Sequence, residues 1–146
     1  MRLKCLAAAL AFAAATPATP AWGNPEQSYM LYCQGCHGDQ AQGVPGKVPP
    51  LAGSLALFMR SADGRDYLLR VPGAANSALD DTQLTAVLNW LADRFPPAGV
   101  TTPRPEPFTV AELSKARRAP LANVRETRRE VVRSLAASGP APPADY

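Results

Sequence analysis

The chain has 146 residues, enough for one compact domain with an appendage but short for two full domains. Its formal net charge is only +3, and no aromatic residues interleave with the basic ones of its C-terminal part, which argues against nucleic-acid binding. Beyond the N-terminus no stretch is long and apolar enough to span a bilayer, which takes about 20 residues.

The N-terminus reads as a secretory signal. Arg2 and Lys4 begin it, an apolar run follows over residues 5–15, and small residues over 16–21 place cleavage after Ala21. Cleavage removes Cys5, leaves Cys33 and Cys36, and lowers the formal charge from +3 to +1. The expectation is an exported, periplasmic protein with no membrane span after signal cleavage. The charge is uneven: residues 22–99 carry a net −2 and residues 100–146 a net +3.

Asn24-Pro25-Glu26-Gln27 reads as a helix start, with Asn24 as the cap and Pro25 at the first helical position. That helix should run through Tyr29, Met30 and Tyr32. Residues 38–53 are rich in Gly and Pro and predict a loop. Ser54 can cap a short helix over Leu55, Leu57, Phe58 and Met59, and residues 66–70 predict another turn or two, stopped by Pro72-Gly73. Leu84, Val87, Leu88, Leu91 and Phe95 recur at helical spacing behind Asp80 and Asp81, and Pro96-Pro97 ends that helix.

The remainder divides by composition. Residues 99–108 read as a proline-rich extended linker. Residues 109–137 predict a basic helical extension, its alternating charges facing water and its Leu113, Leu121, Val124, Val131, Val132 and Leu135 packed. Residues 138–146, with Pro140, Pro142 and Pro143, predict a disordered tail. No strand pattern emerges, so the fold class is all-α, with the main domain over residues 22–98.

Cys33-Gln34-Gly35-Cys36-His37 is the attachment signature for a c-type haem. Two cysteines three apart on a helical turn share a face, so both sulfurs can add to the two vinyl groups along one haem edge. The next residue's imidazole then reaches the iron. Zinc would need four ligands, whereas His37 is the only histidine and the processed chain has two cysteines. A thioredoxin-like pair would need a preceding strand in a βαβ unit. A domain of about 75 residues has little apolar surface to bury, so a covalent haem would also serve as its core.

With that motif at the end of its first helix, a Gly/Pro-rich loop, and a last helix carrying Trp90, the chain resembles the class I cytochromes c over residues 24–95. The resemblance implies a cytochrome c-like all-α domain around one covalent haem c, held by Cys33 and Cys36 and ligated by His37. It implies first and last helices crossing beside the haem, through Tyr29 or Tyr32 against Leu88, Trp90 or Leu91. It also implies a proline carbonyl accepting a hydrogen bond from His37, for which Pro49 fits. The chain departs from the family ahead of the last helix, where a methionine usually completes the iron: residues 71–77 are Val-Pro-Gly-Ala-Ala-Asn-Ser. Met59 is the remaining thioether candidate, although a methionine among such apolar neighbours is more often core filler. Otherwise the iron is five-coordinate or takes water, Asn76 or Lys47.

The expected function is one-electron transfer between a periplasmic dehydrogenase and an oxidase or another cytochrome, as an electron carrier rather than an enzyme. Two alternatives stay open. One is a haem protein with an open axial site, serving as a gas-ligand sensor or weak peroxidase. The other is a dedicated cytochrome subunit of one dehydrogenase, docked through its basic extension.

Overall fold

The computed structural model describes residues 23–101 and 103–146, and the segment read as a secretory signal, with Cys5, lies outside the described residues. Among the described residues there are eight helices and, for extended structure, one isolated bridge between Val44 and Val48.

Helix α1 (Pro25–Tyr32) begins where Asn24 accepts the Glu26 N–H at 3.0 Å, with Pro25 in the first turn. After a break at Cys33, the one-turn α2 (Gln34–His37) follows, and Gly38 ends it at φ 78°. A loop then leads to α3 (Leu55–Phe58), all of whose residues are buried.

Helix α4 spans Ala62–Arg70, starting four residues ahead of the predicted one, because Ser61 caps it by accepting the Gly64 N–H at 3.0 Å. Pro72, expected as a stop, instead opens α5 (Pro72–Ala75), since its fixed φ suits a first helical turn. Helix α6 (Asp81–Arg94) carries a full capping box, Asp80 with Gln83, and buries Leu84, Val87, Leu88 and Leu91.

Helices α1 and α6 cross, with the Tyr29 and Trp90 rings 5.6 Å apart. Such pairs contribute about 0.5–1.5 kcal/mol beyond the area they bury. Tyr29 makes this contact because it is 2 % exposed, whereas Tyr32 is 56 % exposed.

The C-terminal part is sewn onto this core. Phe108 is buried, and its backbone is bracketed by the Asn89 amide, which donates to its C=O and accepts from its N–H. Helix α7 (Val110–Ala116), capped by Thr109, rests on α4 and α6; α8 (Val124–Ala136) rests on α4. Arg65 on α4 grips both carboxylate oxygens of Glu112 at 2.7 and 2.6 Å and also donates to Glu106 and Pro107 C=O.

The expectation of disorder over residues 138–146 gives way to a defined path. Arg60 donates to Pro140 C=O, and Arg128 donates to the carbonyls of Pro143 and Ala144. Prolines leave their carbonyls free to accept, and two arginines supply the donors.

Candidate functional site

The break between α1 and α2 sets the cysteines and the histidine. The Cys33 N–H still bonds to Tyr29 C=O, while Cys33 C=O accepts the N–H groups of Cys36 and His37 at 3.2 and 3.0 Å. This tight turn presents Cys33, Cys36 and His37 to one cleft, with Cys33 half-buried and Cys36 exposed, and the two are not joined in a disulfide. Burial pushes the Cys33 thiol up, and the neighbouring Cys36 adds to that. The Tyr29 hydroxyl donates to Gly38 C=O at 2.5 Å, tying α1 to the residue after His37. Burial first, then the charges of Cys33 and Asp39, push that phenol up to about 12, so it remains a donor.

His37 is oriented by the loop over residues 38–53. Gly43 N–H donates to His37 C=O at 2.8 Å, and the loop turns back so that Leu51 and Ala52 N–H both donate to Ala41 C=O. At Gly43 the chain packs against its own return: a Cβ there would lie 2.4 Å from Val48 C=O and 2.7 Å from the Pro49 carbonyl carbon, at φ 69°. Only glycine fits both the conformation and the approach. The result places Pro49 C=O 3.1 Å from His37 Nδ1.

A carbonyl only accepts, so Nδ1 carries the proton and the Nε2 lone pair is left free. Burial lowers the His37 pKa, partly opposed by the Pro49 bond, so the ring is neutral and able to ligate a metal.

The cleft has a volume of about 330 Å³. Beside the motif it is lined by Pro49, Pro50 and Leu51 of the loop, Leu55 and Phe58 of α3, Tyr67 and Leu68 of α4, and the buried stripe of α6. From the C-terminal extension come Val124, Arg128 and Tyr146. Its charged lining residues are Lys47 and Arg128, both cationic, and no Asp or Glu lines it among the described residues.

Arg128 is 2 % exposed, and its guanidinium lies 5.0 Å from the Phe58 ring centre and 5.2 Å from that of Tyr146. It makes no ion pair among the described residues. Tyr67 stands beside it: burial raises that phenol's pKa, and the Arg128 hydrogen bond and charge pull it back.

Of the residues singled out in the sequence, the structure brings Cys33, Cys36, His37 and Pro49 together. It does not bring Met59. That side chain, 4 % exposed, belongs to the hydrophobic core and does not line the cleft. Tyr67, Arg128 and Tyr146 are lining residues that sequence reasoning did not single out. Arg128 stands in a run of alternating charges that reads as solvent-facing, and its burial follows from where α8 lands. No grouping of three or more His, Cys, Asp and Glu side chains could hold a metal ion among the described residues.

Cytochrome c-552 of Thermus thermophilus is 34 % identical over 103 residues, spanning 58 % of this chain and 78 % of the relative. The chain belongs to the c-type cytochromes. A second cytochrome c-552, from a designated strain of Thermus thermophilus, is 34 % identical over 103 residues, spanning 58 % of this chain and 69 % of the relative. No protein-family model matches the chain. As a c-type cytochrome it has the family's all-α fold, and haem-based electron transfer is the general function that membership brings. None of its described helices is long and apolar enough to cross a membrane.

Proposed function

We propose that this cytochrome carries one haem c, bound through thioethers at Cys33 and Cys36 and ligated by His37, and shuttles single electrons in the periplasm. The observation that carries the reading is the motif's geometry: two unpaired thiols and a neutral imidazole, its Nδ1 turned to Pro49 C=O, at one apolar cleft. The charges of the cleft fit the same group. A buried guanidinium with no carboxylate partner is unfavourable by itself, and haem brings two propionate carboxylates. Arg128, with the Tyr67 hydroxyl beside it, would hold a propionate, and Lys47 adds a second cation.

Bound there, haem iron supplies a centre that gains and loses one electron. The protein's own residues do the rest. Cys33 and Cys36 would hold the group through thioethers, each thiol adding across a vinyl double bond with its hydrogen passing to the vinyl carbon, which would need no oxidant. Pro49 fixes the His37 ring and strengthens its Nε2 as a donor. Leu55, Phe58, Leu68 and the α6 stripe keep water away, lowering the local dielectric that helps set the potential. Cys36 and Tyr32 are exposed, leaving one edge of the site accessible to a redox partner. That partner would be a periplasmic dehydrogenase on the donor side and an oxidase or another cytochrome on the acceptor side.

The test is expression of the full chain in a host with haem-maturation machinery. The purified protein should be red, keep its haem through denaturing electrophoresis, and show reversible one-electron reduction. Cys33→Ala with Cys36→Ala should lose the covalent haem. Colourless wild-type protein would refute the reading.

A further inference from the structure

Where a c-type haem sits in this cleft, the chain offers its iron a donor on one side only. His37 and Pro49 belong to the motif and the loop after it, whereas further lining comes from α4, α5 and α6. That part of the lining presents Leu68, Val71, Ala74, Leu84 and Leu88, whose side chains have no lone pair to give. Met59 lies in the core outside the cleft lining, and Met30, 57 % exposed on α1, does not line it either.

The other side-chain lone pairs of the lining are the hydroxyls of Tyr32, Ser54, Tyr67 and Tyr146, which as neutral oxygens are weak donors to haem iron, and the Lys47 amine. Burial raises the Tyr67 pKa and keeps its oxygen a neutral phenol. Lys47 is exposed to water on the loop that carries Pro49. Asn76 does not line the cleft, and its stretch of chain is pinned: Arg117 donates to the carbonyls of Ala75, Ser77 and Leu79 and to Asp81. That segment cannot swing inward without breaking those bonds.

From this we infer, resting on the haem reading above, that His37 is the sole side-chain ligand and that the sixth position of the ferrous site binds a small neutral π-acceptor, carbon monoxide or nitric oxide. An aliphatic wall suits such a ligand, because a neutral diatomic enters it without leaving a buried charge unpaired. The protein is then a ligand-binding cytochrome as well as an electron carrier.

The experiment uses full-length holoprotein and carbon monoxide as the probe. The pyridine haemochrome spectrum first reports the covalent haem, and its absence would remove the haem reading and this inference together. With haem present, the dithionite-reduced protein should shift its Soret band on addition of carbon monoxide at neutral pH. The ferric form should lack a sulfur-to-iron band in the far red. Met59→Leu, which keeps the core filled, should leave both spectra and the carbon monoxide affinity unchanged. A covalent haem whose ferrous spectrum ignores carbon monoxide would overturn the open site while sparing the electron-transfer reading. So would a far-red band lost in Met59→Leu, or a large gain in carbon monoxide affinity in that variant.

Discussion

At the scale of single residues, the site depends on a backbone carbonyl being in the right place. Pro49 C=O is delivered to His37 by a loop that closes only because Gly43 lacks a Cβ. Gly43→Ala should therefore disturb His37 without touching it: a broadened ferric spectrum and a lower melting temperature are expected, with covalent haem retained. Arg128 should act through charge. Replacing it with Met would remove a cation beside the proposed haem, which should favour the ferric form and lower the midpoint potential, whereas Arg128→Lys should retain part of the effect. Redox titration of the two variants checks this, and equal potentials would show that Arg128 only packs. The contrast between these residues also explains what could be read in advance. Cys33, Cys36 and His37 work within a five-residue turn, so their spacing already expresses their geometry. Arg128 acquires its role from Phe58 and Tyr67, some 60 to 70 positions away, which no local pattern records.

Between elements, arginines do much of the joining. The bidentate Arg65–Glu112 pair holds α7 against α4, with side chains 17 % and 31 % exposed. The arginine holds the Glu112 carboxyl below its ordinary 4.5, so its contribution is present above that value and is lost as pH falls through the depressed one. Glu112→Gln should destabilise the protein by about 1 kcal/mol at neutral pH. In urea denaturation the gap between variant and wild type should close in acid. Apolar periodicity located α6 in the sequence because that helix buries a continuous stripe. Helix α4 was legible only in its second half, since Ala62 to Arg65 has no apolar repeat and owes its start to the Ser61 hydroxyl. The path of residues 138–146 was not legible at all, because prolines look alike whether or not a distant arginine holds their carbonyls.

Over the whole molecule, the first six helices and the C-terminal two share one core rather than meeting as neighbours. Leu113 is fully buried, and Val131, Val132 and Leu135 are nearly so, within the same cluster as Tyr29 and Leu91. Leu113→Ala should cost about 2–5 kcal/mol, a loss measurable in the thermal unfolding of the entire holoprotein and not of a local segment. A single cooperative transition is the expected outcome; two separated ones would make the extension an independent unit. Arg117 extends this unity to the chain ahead of α6. One guanidinium on the end of α7 bonds three carbonyls and a carboxylate between Ala75 and Asp81. Fraying of α7 must therefore liberate that stretch simultaneously, and the amide protons of both should exchange with deuterium at one shared opening free energy.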